Sequence, residues 1–177
     1  MHRWKRIALL VVLLMVVSAL TTVLTPAMAG SNDKSVLIYG PSMSPPRGPF
    51  WTENEKTIAA SEGYTVTVAF NAMWSRFTAA DFAAFDAIVF GDPNCALGTS
   101  RLSAANANKA VWSSVIDGPV IVTGTSPQYF QFKPGGQALR LITNGINFAA
   151  SGSGTGLYVS LSCYYLFAAR DTPVDFL

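Results

Sequence analysis

The chain has 177 residues, 50% of them hydrophobic and 12% charged, which is enough sequence for one domain. Its first 29 residues read as a secretory leader. Without Arg3, Lys5 and Arg6 the remainder carries nine basic against ten acidic residues, so the formal charge falls from +2 to −1 and a basic nucleic-acid surface has no support. The only histidine is His2, inside that leader, so a mature chain has none for a Ser-His-Asp site, a Cys-His site or a His-ligated zinc.

The leader is ordered as signal peptidase reads it. A basic start, Met1 to Arg6, precedes an apolar run from Ile7 to Leu20, broken only by Ser18. Pro26 and then Ala27-Met28-Ala29 give an A-x-A site, with cleavage expected after Ala29. No cysteine sits there for a lipid anchor, and no second hydrophobic segment is long enough to span a bilayer. A secreted product with no membrane attachment after cleavage is expected.

After a short tail at 30–34, Val36-Leu37-Ile38-Tyr39-Gly40 is an apolar run stopped by Gly and Pro, the pattern of a buried strand. Thr52-x-x-Glu55 has capping-box spacing and predicts a helix from Glu53 to about Gly63. Tyr64 to Phe70 is β-branched and aromatic, the second strand. Thr78, with Asp81 three residues on and the pair Phe77 and Phe82, predicts a capped and stapled short helix. Ala87 to Asp92 is the third strand. Ser103 to Asp117 has helical spacing, with Ala104, Ala107, Val111 and Val115 on one face, widened by Trp112 and Ile116. Gly118 and Pro119 then read as its stop. Val120 to Gly124 is the fourth strand. Gln137 to Ala150 is a helix with Leu139, Ile142, Ile146 and Ala149 on one face. Residues 151–156 form a Gly-rich turn, and Leu157 to Cys163 is the fifth strand.

Alternating strands and helices, with strands apolar on both faces, predict an α/β fold: three layers, α/β/α, around a five-stranded parallel flavodoxin-like sheet of order 2-1-3-4-5. The domain is expected over 35–168, followed by an irregular tail at 169–177 that reads as a chain cut short. In such a sheet ligands bind outside the carboxyl ends of the strands. That edge gathers four loops, with Ser42 and Ser44, Asp92 and Asn94, Ser126 and Gln128, and Tyr164 and Tyr165 as binding candidates.

The chemistry open to those loops is restricted. Three prolines in 41–46 remove backbone donors, and no G-x-G-x-x-G or Walker pattern follows the first strand, so no nucleotide or flavin is expected. No cofactor and no metal site is expected. Asp92 is a weak catalytic candidate: it lacks a second carboxylate in these loops and suits a turn start before Pro93. Cys163 ends a strand, where a nucleophile elbow sits, but has no base or cation beside it in sequence. The alternatives are a Cys95–Cys163 disulfide, favoured by the oxidising compartment, two free or buried thiols, or a reactive thiol. The aromatic groups Phe50-Trp51, Met73-Trp74, Tyr129-Phe130 and Tyr164-Tyr165 either line a sugar or partner surface or pack the loops onto the sheet.

Four stretches resemble a known superfamily: residues 63–68, residues 85–93, Gly124-Thr125-Ser126-Pro127, and residues 156–165 with Cys163-Tyr164-Tyr165. They resemble the class I glutamine amidotransferase-like superfamily, which includes a trehalose-utilisation type, as found in large secreted bacterial proteins. The resemblance covers about 35–168. It implies a flavodoxin-like fold and a strand-end cysteine, matched by Cys163. Amidotransferases of that superfamily pair the cysteine with a His-x-Glu on a later loop, which this chain lacks. The expected function is an exported, non-catalytic binding or structural module. Its partner would be a small molecule, a glycan or a protein. The alternatives are an incomplete hydrolase or amidotransferase with Cys163 as remnant nucleophile, and a carbohydrate-binding module.

Overall fold

The computed structural model describes residues 33–43, 55–91, 99–124, 127, 137–162, 164–174 and 177. Five strands form its centre: β1 (Ser35–Tyr39), β2 (Thr65–Ala69), β3 (Ala87–Phe90), β4 (Ile116–Thr123) and β5 (Thr155–Ser160). The helices among the described residues are α1 (Glu55–Ser61), α2 (Asn71–Trp74), α3 (Ala79–Ala83), α4 (Ser103–Ala107), α5 (Lys109–Trp112), α6 (Ala138–Ala149) and α7 (Tyr164–Phe167). Every strand pair is parallel.

Alternation along the strands sorts side chains onto two faces. Leu37, Tyr39, Ile88, Phe90, Leu157 and Val159 pack against Trp74, Phe82, Leu102, Ala105 and Trp112. Val36, Ile38, Ala87, Val89 and Tyr158 pack against Ile58, Ala59, Ile142, Ile146 and Ala149. So α1 and α6 cover one face, and α2 to α5 the other. Both faces of the sheet centre are dry, which is why its strands read as continuous apolar runs.

The strand order is 2-1-3-5-4, not the expected 2-1-3-4-5. β5 lies between β3 and β4, pairing Val89 with Tyr158 and Ile121 with Tyr158 on its two sides. The physical reason is on β4. Pro119 has no N–H for a ladder on both sides, and such a strand belongs at an edge or a bulge. β4 has both, with a register irregularity between Ile116 and Val120. Val120 and Val122 stay 50% and 45% exposed, whereas every residue of β5 is buried. The two connections running toward the β2 edge carry their helices on one face. The two running the other way carry theirs on the opposite face. All four crossovers therefore share one hand, as parallel β-α-β units do.

The helix expected over 103–117 is a second correction. It breaks at Asn108 into α4 and α5, tightens to a 3-10 turn at Ser113–Val115, and gives way to β4 at Ile116. The Asn108 side chain donates to the Trp74 carbonyl at 3.1 Å, which ties the break to α2. Gly118 and Pro119 are strand residues, not a helix stop. The α6 face also differs slightly: Ile142, Ile146 and Ala149 are buried with Ala138 and Gly145, while Leu139 is exposed.

The start of α3 matches its sequence signal. The Asp81 N–H donates to Thr78 Oγ1 at 3.3 Å, and the Thr78 N–H donates to Asp81 Oδ2 at 2.8 Å. Phe77 and Phe82 meet edge to face at 5.3 Å, as the staple requires. Replacing Thr78 by Ala should cost about 1 kcal/mol in urea denaturation. The backbone and side-chain hydrogen bonds from Thr78 hold the Asp81 pKa below its ordinary 3.8. The contribution of Asp81 is therefore complete above that value and is lost as pH falls through the lowered one. An acid titration of stability should be only slightly shallower in Thr78→Ala, which keeps the larger, backbone bond, and clearly shallower in Asp81→Asn; an unchanged titration in Asp81→Asn would contradict the capping box.

Candidate functional site

The polar interior of the sheet is concentrated at one end. Six polar side chains are buried among the described residues: Ser42, Glu55, Thr123, Thr155, Ser160 and Ser162. Only Thr155 lies at the amino ends of the strands. The others lie at the carboxyl edge, after β1, at the start of α1, at the end of β4 and at the end of β5. Buried polar groups are costly unless satisfied, so this clustering marks the edge where the fold gives up apolar packing.

The edge contains a switch point. The connection leaving β1 runs toward β2 over one face, and that leaving β3 runs away from it over the other, so the crevice opens between their ends. Ser42 straps the two ends together. Its hydroxyl donates to the Tyr39 carbonyl at 2.7 Å and accepts from the Gly91 N–H at 3.0 Å. The 3-10 turn Gly40–Ser42 places it there.

The most notable occupant is Glu55. Its side chain is fully buried, and its carboxyl group lies against Gly91. A Cβ on Gly91 would stand 2.6 Å from Glu55 Cδ and 2.7 and 2.8 Å from its two oxygens. Only a glycine at 91 leaves room for this carboxyl. Ser160, one residue beyond the last registered β3–β5 pair, lies on the same face. Its buried hydroxyl has no hydrogen-bond partner among the described residues. Gly91→Ala should therefore cost about 2 kcal/mol by overpacking. In a Glu55→Ala background the obstruction is gone, and the two changes should couple by roughly 1–3 kcal/mol in a double-mutant cycle. Additive costs would refute the contact.

The sequence candidates fare unevenly. Ser42 is at the edge, but its hydroxyl is committed to the backbone. Tyr164 and Tyr165 are half-buried and meet edge to face at 5.3 Å; the Tyr164 N–H donates to Ser162 Oγ at 3.0 Å. Ser44, Asp92, Asn94, Cys95, Ser126, Gln128 and Cys163 lie outside the described residues, so the expected Cys95–Cys163 pairing does too. Of the aromatic groups, Trp74 is core rather than surface, while Phe50-Trp51 and Tyr129-Phe130 lie outside the described residues. Sequence reasoning missed Glu55, Thr123, Ser160 and Ser162. It read Glu55 as the far half of a capping box whose Thr52 lies outside the described residues.

A cavity of about 440 Å³ opens at the opposite end of the sheet, lined by Phe85, Asp86, Val115, Asp117 and residues 153–155. Its carboxylates serve the backbone there: Asp86 Oδ2 accepts from the Ser35 N–H at 2.7 Å, and Asp117 Oδ1 from the Thr155 N–H at 2.8 Å. Among the described residues no group of three or more His, Cys, Asp or Glu is placed to hold a metal ion. Among them, too, no helix is long and apolar enough to cross a membrane. No family model, curated protein or solved structure matches the chain, and what the fold shows is the general α/β class with a five-stranded parallel sheet.

Proposed function

We propose that the chain is an exported, non-catalytic α/β module that binds a ligand at the carboxyl edge of its sheet. The observation that carries this reading is the gathering of buried polar side chains there, with the Glu55 carboxyl buried against Gly91. Export rests on the leader at 1–29. The absence of histidine from the mature sequence argues against the usual base for a nucleophile.

The binding half is tested by amide NMR on residues 30–177, with methyl α-glucoside, butylamine and acetate as probes. Shifts should cluster at Gly40, Ser42, Gly91, Ser160 and Ser162. Shifts confined to the cavity around Asp86 and Asp117 would overturn the reading. The non-catalytic half is tested by thiol titration in denaturant. Cys95 and Cys163 follow β3 and β5, which are adjacent in the sheet. A disulfide-permissive compartment then favours a bridge, with thiols appearing only after reduction. Two free thiols, with Cys163 alkylating quickly in the folded state, would favour the second reading. That reading is an incomplete hydrolase or amidotransferase of the resembled superfamily.

A further inference from the structure

We infer that the ligand of the carboxyl edge is a saccharide, its ring seated on Phe70 and oriented by Asn71. The inference rests on the reading of that edge as the binding edge.

Phe70 is the first residue past β2, beside the end of β1. Its ring lies against Gly40, where a Cβ would stand 2.9 Å from two ring carbons and 3.0 Å from a third. Glycine at 40 is what lets the ring lie there. Phe70 as a residue is nevertheless 60% exposed, and Met73 beside it on α2 is exposed as well. The fold thus holds an apolar ring in place at a polar edge without burying it.

The neighbouring amide is held too. The Tyr39 hydroxyl donates to Asn71 Oδ1 at 2.7 Å, with the Arg101 carbonyl 3.1 Å away. Burial raises the Tyr39 pKa, so this donor keeps its proton. With Oδ1 committed, the exposed Asn71 side chain offers its NH₂ group as donor. An apolar platform bordered by a fixed amide suits a ligand with one C–H face and a rim of hydroxyls. Phenylalanine carries no polar handle, so it supplies apolar contact only, and hydroxyl recognition falls to Asn71. A purely aromatic ligand would leave the amide idle, and the mature net charge of −1 disfavours a nucleic acid.

The test is NMR and calorimetric titration of residues 30–177 with methyl α-glucoside, methyl β-galactoside, N-acetylglucosamine and cellobiose. At least one should shift the Phe70, Asn71 and Gly40 amides. Phe70→Ala should weaken that binding at least tenfold, and Asn71→Ala should weaken it while leaving circular dichroism unchanged. Phe148, 51% exposed on α6, is the control, and Phe148→Ala should bind as wild type. Undiminished binding by Phe70→Ala would overturn the inference. If no saccharide binds but butylamine or acetate still moves the edge amides, the saccharide falls and the binding edge stands. If no probe moves them, both fall.

Discussion

Trp74→Ala should lower unfolding stability by about 4 kcal/mol, read by circular dichroism in urea. That is a large share of the roughly 5–15 kcal/mol that holds a domain folded. Trp74 is fully buried, and its ring meets Tyr39 and Phe82 edge to face at 4.8 Å each and Phe90 at 5.4 Å. Truncation would remove three aromatic pairs at once and leave a cavity between α2, α3 and the sheet. Its indole N–H has no hydrogen-bond partner among the described residues, so Trp74→Phe gives up packing but no described hydrogen bond. The Phe variant should therefore cost less than half as much. Equal losses for the two variants would mean that a phenyl ring keeps none of these contacts, so that the full indole, not an aromatic ring as such, holds this layer together. The saccharide proposal adds a second expectation. Tyr39 both packs on Trp74 and orients Asn71, so any sugar affinity should fall in Trp74→Ala more than in Trp74→Phe.

Most of the sheet was legible because its strands are buried on both faces. Val36 to Tyr39 and Ala87 to Phe90 are apolar at every position, and only a covered parallel sheet uses such runs. The strand order was not read, although one residue carried it. Pro119 fitted a helix stop because Gly118 precedes it and a helical period leads up to Asp117. The same proline fits an edge strand, and local spacing does not separate the two. The packing of β5 on β3 does, through Tyr158 and Val159. The candidate site was less legible for a related reason. Glu55 has the sequence context of a cap, and nothing local says that the chain will deliver its carboxyl onto Gly91, 36 residues later. Ser160 and Ser162 carried a weak signal, as hydroxyls closing an otherwise apolar run. Phe70 looked like the end of a strand, and the position of its ring depends on Gly40 in the turn after β1, which is a tertiary fact.

Gly156→Ala should cost more than about 3 kcal/mol, more than overpacking usually does, because the obstruction is backbone on both sides. A Cβ there would run into the Ala149 carbonyl oxygen, and would stand 2.7 Å from the Ala149 carbonyl carbon and 2.7 Å from the Pro119 oxygen. The first is the last residue of α6 and the second lies on β4, so neither can swing aside as a side chain would. Gly156 is also paired with Ala87, and its N–H donates to the Asp86 carbonyl at 2.9 Å. Any shift of β5 to relieve the contact would break that ladder. Gly145→Ala is the comparison that isolates the cause. Its Cβ would also come close, at 2.5 and 2.7 Å, but to two ring carbons of Tyr158. A ring can tilt, and alanine in a helix interior gains about 1 kcal/mol over glycine. Gly145→Ala should thus cost clearly less than Gly156→Ala, although both lie on the same buried layer. If the two cost the same, close approach of backbone is not what reserves position 156 for glycine. The central placement of β5 between β3 and β4, which depends on that approach, would then need another explanation.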